Sequence, residues 1–237
     1  MDIADLQLDH PDGAMRLYEA RPDDGGRAAI IVIQEAFGVN AHIEDVTRRF
    51  ADAGYHAVAP DLFHRAGGGT APYDDFSKVL PFFEGINGDA DLLSDVDAAL
   101  DHLHGAGWAD NKIGIVGFCF GGRISLLTAL SRPIGAGVGF YGGGIVTARF
   151  PQFPALIDEL GALTVPWLGL FGDLDTGIPV DEVETIRTTL ANASAPTEVI
   201  RYANAGHGFH CDAREGYVED AAKDAWAHTL DWFGQYL

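Results

Sequence analysis

The β-rich apolar run Lys112-Ile113-Gly114-Ile115-Val116 ends in Gly117-Phe118-Cys119-Phe120-Gly121-Gly122 and passes at once into a helical pattern, Arg123-Ile124-Ser125-Leu126-Leu127. A residue at the tip of so sharp a strand-to-helix turn has strained backbone angles, and glycines two positions to either side let strand and helix approach closely. The next backbone N–H then lies at a helix N-terminus, whose dipole stabilises a thiolate and an oxyanion alike. Taken alone, the segment reads as a buried structural thiol beside a tight turn. Two later segments change that reading. Val165 to Phe171 reads as a buried strand running into Gly172-Asp173-Leu174-Asp175, where one of two carboxylates is placed to orient an imidazole. Glu198 to Tyr202 reads as a short strand followed by Ala205-Gly206-His207-Gly208-Phe209, a histidine on a glycine-flanked loop suited to a general base. A free cysteine is only a few per cent thiolate at neutral pH, so attack needs such a base, and a carboxylate behind the imidazole fixes its tautomer and stabilises the imidazolium.

Those residues need strand ends to hold them. Apolar strand candidates at Ala28 to Gln34, Tyr55 to Ala59, Lys112 to Gly117, Gly135 to Tyr141, Val165 to Phe171 and Glu198 to Tyr202 alternate with helical patterns at Ala41 to Ala53, Asp89 to His104, Phe120 to Ser131, Val180 to Ala193 and Tyr217 to Tyr236. The alternation implies an α/β protein with a mostly parallel central sheet, and strands so uniformly Val/Ile/Leu-rich must be covered by helices on both faces. Two N-terminal edge strands are expected near Asp5 to His10 and Met15 to Ala20. The chain order nucleophile, acid, histidine at strand ends is that of the α/β-hydrolase fold, expected here as one domain over residues 1–237.

Four motifs resemble the dienelactone hydrolases (carboxymethylenebutenolidases), a branch of the α/β-hydrolases with a cysteine nucleophile. They are Gln34-Glu35-Ala36-Phe37-Gly38-Val39-Asn40, Pro60-Asp61-Leu62, the segment around Cys119, and Ala205-Gly206-His207-Gly208-Phe209, which together span the chain from about Ala28 to its end. The resemblance implies a hydrolase of a small ester or lactone with Cys119 as nucleophile, His207 as base and Asp175 as its orienting acid, Asp173 being the runner-up. It also implies that Glu35 contacts the resting nucleophile; the alternative is a hydrogen bond that only shapes its loop. The backbone N–H groups of Ala36 and Phe120 are the positions from which this fold builds an oxyanion hole. The two arginines that hold the substrate carboxylate in that family, one before the central helix and one shortly after the histidine, have no counterpart here. Lys78, Arg65, His210 or Arg214 are the available substitutes, and Phe37, Tyr141 and Phe209 join Lys78 and His210 as candidates for substrate contact, Tyr141 being equally readable as a satisfied strand-end tyrosine. The glycine-rich stretch His64 to Pro72, leading into Phe76, Leu80, Phe82 and Phe83, reads either as a lid or pocket wall or as a surface loop over a small hydrophobic cluster.

The formal net charge of −20 argues against nucleic acid and against anionic membrane surfaces. Only Cys119 and Cys211 are present, which excludes a disulfide framework and suits a reducing cytoplasm. No apolar segment reads as a signal peptide or a membrane span, and a monomer is expected. His207, His210 and Cys211 lack a second ligand cluster of C-x-x-C or H-E-x-x-H type, so neither metal nor other cofactor is expected. The role of Cys211 is open. Two other functions fit the same motifs: a non-catalytic or redox-sensing thiol protein on this scaffold, and an acyltransferase with an acceptor other than water.

Overall fold

The computed structural model describes residues 1–237. In chain order the elements are β1 (Asp2–Leu8), β2 (Met15–Arg21), β3 (Ala29–Ile33), α1 (Ala41–Asp52), β4 (His56–Pro60), α2 (Leu80–Glu84), α3 (Asp89–Gly105), β5 (Ile113–Phe118), α4 (Phe120–Ser131), β6 (Ala136–Phe140), β7 (Trp167–Gly172), α5 (Val180–Leu190), β8 (Thr197–Tyr202) and α6 (Glu219–Tyr236). They build one eight-stranded sheet in the order β1-β2-β4-β3-β5-β6-β7-β8. Pairings from β4 to β8 are parallel, while β1 with β2 and β2 with β4 are antiparallel. Every residue of β3, β4, β5, β6 and β7 is buried, as their unbroken apolar composition requires of strands covered on both faces. The edge strand β1 is half exposed along its length.

The boundaries that differ from the sequence expectation have local causes. Strand β1 lies at Asp2–Leu8 rather than Asp5 to His10, because its register sets Leu8 opposite Met15 and leaves residues 9–14 to make the turn. Helix α6 begins at Glu219 rather than Tyr217, since Val218 is extended (φ −124°, ψ 99°). Helix α5 stops at Leu190, short of Ala193. Helix α2 and the single-turn helices at Phe76–Lys78 and His64–Ala66 are too short to show a helical period in sequence. No helix is long and apolar enough to cross a membrane.

Two devices set the loops around the sheet's C-terminal edge. Asn40 caps α1 by accepting from the His42 and Ile43 amides at 3.1 and 3.2 Å, which fixes how the loop after β3 enters its helix. Gln34 at the start of that loop accepts the Leu62 amide at 3.2 Å, tying it to the loop after β4. Helix α4 is buried over its first ten residues, Phe120 to Ala129, which places its N-terminus inside the protein, where Cys119 sits.

Candidate active site

Cys119 occupies the bend between β5 and α4 with φ 55° and ψ −113°, a conformation that costs a non-glycine residue about 1–3 kcal/mol and is held only by its surroundings. Those surroundings need glycine. A Cβ at Gly117 would overlap the Gly121 carbonyl oxygen, and one at Gly121 would lie 2.6 Å from the carbonyl oxygens of both Ile33 and Gln34. The Cys119 amide is held by the Phe140 carbonyl at 3.0 Å, so the bend hangs from β6 as well. The Phe120 N–H, as the first of α4, has no intrahelical acceptor, and the Ala36 N–H in the loop after β3 finds none either. Both residues line the cavity that Cys119 faces.

His207 Nε2 lies 3.0 Å from Cys119 Sγ, and its Nδ1 lies 2.6 Å from Asp175 Oδ2. The other oxygen of Asp175 accepts the amides of Gly177 and Ile178 at 2.8 and 3.2 Å, so the carboxylate cannot turn. Burial alone would lower the proton affinity of His207; Cys119 in front of it and the Asp175 carboxylate behind it outweigh that and hold it above its ordinary value. Burial raises Asp175, but the bond to His207 and the Gly177 amide bring it below the usual carboxylate range. Asp173 takes no part: Arg201 from β8 binds it bidentately at 2.7 and 2.9 Å.

Glu35 is fully buried, and its one side-chain partner is Arg214, at 3.4 Å, with Oε2 unpaired. No hydrogen bond joins Glu35 to Cys119, whose sulfur is turned to His207 instead; the contact implied by the resemblance is absent, and Glu35 acts on Arg214. That guanidinium lies over the rings of Phe37 and Tyr73, 5.4 and 5.2 Å from their centres.

Two cavities meet at His207. One, of about 230 Å³, is reached by Cys119 and lined by Ala36, Phe76, Phe83, Phe120, Phe150 and Phe153, with Arg123, Arg149 and the Gly143–Gly144 backbone completing it. The other, of about 430 Å³, is polar and bordered by Tyr73, Asp74, Arg214 and Glu215. The larger one lacks Cys119, so the smaller is where a carbonyl can meet the sulfur.

Several expected contacts fall elsewhere. Lys78 ends an exposed single turn that sends Phe76 to the cavity and the lysine to solvent. Arg65 is held by Asp12 and Asp95 at 2.8 and 2.9 Å, away from the cavity. Phe37 lies beneath Arg214 and outside the cavity lining. Gly208, at φ 77°, reverses the chain after His207 and sends the next two side chains inward. Phe209 accordingly packs on Phe140, Tyr141 and Tyr202, and His210 stacks between Phe118 and Trp226, burial pushing it down to about 3. Tyr141 is also buried; its ring edge meets His207 at 5.1 Å and its hydroxyl has no partner, so it supports the imidazole from behind. Cys211 is buried with Sγ 3.4 Å from the Tyr73 hydroxyl, and burial pushes its thiol up to about 11, which makes it unreactive. Of the segment leading from the glycine-rich stretch, Phe76 and Phe83 form cavity wall. The residues that sequence reasoning missed are Arg123, Arg149, Phe150 and Phe153; the last three belong to Arg149-Phe150-Pro151-Gln152-Phe153, in the long irregular connection from β6 to β7.

His207, His210 and Cys211 have separate partners and do not converge. Ligand-type atoms do gather at Glu19, His56 and His102, and at His10, His64 and Asp95. In the first group Trp108 donates to His56 Nδ1 at 2.9 Å, so His56 Nε2 carries its proton toward Glu19; in the second Arg65 donates to Asp95 at 2.9 Å, while His10 accepts the Asp12 amide on Nδ1 at 3.1 Å and turns its Nε2 proton to Ser94 Oγ at 3.0 Å. Each carboxylate is thus served by a donor where a metal would need a lone pair.

The sheet order, the strained thiol-bearing bend after β5 and the acid and histidine loops after β7 and β8 define an α/β-hydrolase. Residues 15–237 match the family model described as the dienelactone hydrolase family. A protein of Salmonella typhimurium named "Putative carboxymethylenebutenolidase" is 38% identical over 262 residues, covering 99% of this chain and 93% of that one. One of the same name from Methylorubrum extorquens is 38% identical over 237 residues, covering 98% of this chain and 80% of that one. The crystal structure of a "Putative Dienelactone Hydrolase" from Klebsiella pneumoniae superposes with a TM-score of 0.90 at 37% identity, covering 99% of both chains. The chain belongs to the dienelactone hydrolase family and is a hydrolase of ester or lactone type.

Proposed function

We propose that this hydrolase opens a small ester or lactone through a Cys119–His207–Asp175 triad. The observation that carries the reading is the series of contacts at one cavity wall: Sγ to Nε2 at 3.0 Å, then Nδ1 to Oδ2 at 2.6 Å. The thiol proton passes to His207 Nε2 and the sulfur attacks the carbonyl carbon. Negative charge then develops on the carbonyl oxygen, within reach of the free amides of Ala36 and Phe120. Collapse expels the alkoxide or enolate, which takes the proton back from the imidazolium and leaves a thioester. A water that gives its proton to His207 attacks that thioester, and the second collapse returns the acid and the thiolate. Asp175 holds the imidazole tautomer throughout, and Glu35 holds the geometry through Arg214. A thiolate expels an enolate or alkoxide more readily than an amine, so peptides are poor substrates.

The cavity of about 230 Å³ lies below the roughly 300–1,000 Å³ of drug-sized sites, which fits a small substrate. The whole chain acts as one α/β-hydrolase domain, monomeric and without a cofactor, in the cytoplasm; its charge of −20 supports a small-molecule role over binding to nucleic acid or membrane. The test is a rapid-mixing experiment with an activated aryl ester: a stoichiometric burst of chromophore and an acyl mass increment on the peptide containing Cys119, both lost in Cys119→Ala. Full turnover by Cys119→Ala would overturn the reading.

A further inference from the structure

On the reading that Cys119 attacks within the smaller cavity, we infer that the two cavities meeting at His207 divide the substrate between them. The smaller takes the acyl arm, compact and apolar, and the larger takes the alcohol arm, hydroxylated and uncharged, so the substrate is an open-chain ester of a small aryl or alkyl acid with a polyol. The division follows from what each cavity touches. Cys119 lines the smaller one together with Ala36 and Phe120, whose amides receive the oxyanion; none of the three lines the larger, and His207 is the one residue common to both. In the tetrahedral intermediate the former carbonyl carbon carries the sulfur, the oxyanion, the acyl chain and the leaving oxygen. On collapse its bond to the leaving oxygen breaks, the electron pair stays on that oxygen, and the proton held by His207 Nε2 goes to it. The leaving oxygen must therefore lie against Nε2, which stands 3.0 Å from Sγ, and whatever it carries continues past the imidazole to where the larger cavity opens. The acyl chain is left the direction away from His207, into the smaller cavity.

The walls differ in the same sense. In the smaller cavity Phe83 of α2 stacks on Phe150 with centres 5.0 Å apart and planes at 21°, and meets Phe120 at 4.8 Å; Phe153 closes on Phe120 at 5.3 Å, and Phe76 stands half exposed beside them. Arg123 turns its guanidinium to Asp89 at 2.7 and 2.8 Å, and Arg149 donates to the Gly177 carbonyl. Five rings around about 230 Å³ gain by burying an aryl or short alkyl chain and leave no room for a long one. The larger cavity, about 430 Å³, is bordered by Asp74 and Glu215, two exposed carboxylates with no partner in the protein. Arg214 completes the wall, its charge already met by buried Glu35 at 3.4 Å. A hydroxyl can donate to a carboxylate and accept from a guanidinium, so a polyol finds partners of both kinds there. A carboxylate on the same arm would face Asp74 and Glu215 instead, and like charges repel. Ala213 and Gly216 supply the room.

The test is kcat/KM of the full chain, by titration of released acid, for the 1-glyceryl and propyl esters of phenylacetic and of hydroxyacetic acid. Phenylacetates are expected to exceed hydroxyacetates by about tenfold with either alcohol, and glyceryl esters to exceed propyl esters by about tenfold with either acid, each roughly 1.4 kcal/mol. Phe150→Ala brings the acyl preference to within about threefold and leaves the alcohol preference as it was. Ala213→Phe, which fills the larger cavity from an exposed position, and the double variant Asp74→Ala with Glu215→Ala do the converse. Each preference is a ratio within one variant, so a general loss of activity cancels. Carboxymethyl phenylacetate, whose alcohol arm ends in a carboxylate, reacts more slowly than the glyceryl ester. Four results overturn the division: equal rates for glyceryl and propyl esters; an alcohol preference that responds to Phe150→Ala and not to Ala213→Phe; a faster carboxymethyl ester; or no turnover of any of these esters by a chain that acylates with an activated aryl ester. Full turnover by Cys119→Ala refutes the nucleophile, whereas an acyl thioester on Cys119 with ratios that ignore these substitutions refutes the division alone.

Discussion

Replacing Asp175 by asparagine keeps the shape of the side chain and changes only what it offers His207. Oδ1 receives two backbone N–H groups, from Gly177 at 2.8 Å and Ile178 at 3.2 Å, so an amide NH2 cannot take that place without facing two donors. The asparagine oxygen therefore stays at Oδ1, and its NH2 stands where Oδ2 now lies 2.6 Å from His207 Nδ1. Nδ1 must then accept, the ring proton moves to Nε2, and the imidazole meets Cys119 as a donor that can neither take the thiol proton nor become an imidazolium. In a serine triad the same inversion of tautomer costs about 10⁴-fold. A cysteine has an unassisted fallback through the few per cent of thiolate present at neutral pH, so about 10³-fold in the acylation rate is expected here, roughly 4 kcal/mol. The fallback depends on hydroxide, and the deficit should shrink by about tenfold for each pH unit above neutrality until a free thiol is ionised. Single-turnover acylation by 4-nitrophenyl acetate between pH 6 and 9, with circular dichroism to verify the fold, measures both. An Asp175→Asn protein that acylates within tenfold of the unmodified rate at pH 7 would refute the reasoning, as would a deficit that does not change with pH.

The other expectations follow from single contacts. Glu35→Gln should reduce kcat/KM by less than about tenfold, far less than Asp175→Asn, because Glu35 touches Arg214 and not the sulfur; a loss equal to that of Cys119→Ala would restore the direct role implied by the resemblance. Gly121→Ala should cost about 3 kcal/mol in urea unfolding, since its Cβ would sit 2.6 Å from two backbone carbonyl oxygens that cannot yield, and a change under 1 kcal/mol would show that the bend tolerates a side chain. His210, lowered to about 3 by burial between Phe118 and Trp226, stays neutral in the folded chain while the unfolded chain takes up a proton below about 6.5. The unfolded state then binds more protons, so stability is lost as the pH is lowered through that window, by about 1.4 kcal/mol per unit. His210→Phe should flatten that part of the profile, and an unchanged slope would place the acid sensitivity elsewhere.

What the sequence could reveal depended on how local the cause was. Strands β3 to β7 were legible because burial on both faces leaves no polar position to confuse the pattern, and the bend at Cys119 because Gly117 answers a steric demand from Gly121, four residues on. The choice between Asp173 and Asp175 lay beyond local reading. Both sit on one loop, and what separates them is Arg201, a residue of β8 that arrives from across the sheet edge and occupies the first. Glu35 is the same case at longer range, its partner lying 179 residues away. His210 misled because it follows His207 by three residues, yet Gly208 at φ 77° turns the chain between them, so nearness in sequence became opposite sides of a wall. Charge was visible everywhere and position was not: Lys78 looked available and is in solvent, while Arg149 lay in a connection with no period to read. That connection is placed by distant anchors, namely Arg123 with its bonds to Asp89 and the Pro154 carbonyl, and Phe150 stacked on Phe83 of α2. The Cys119, His207 and Asp175 contacts lie at the ends of the sheet, where strands let them be anticipated; the cavity in front of them is built by irregular segments leaning on one another, which is why its lining became apparent only when those segments were seen together.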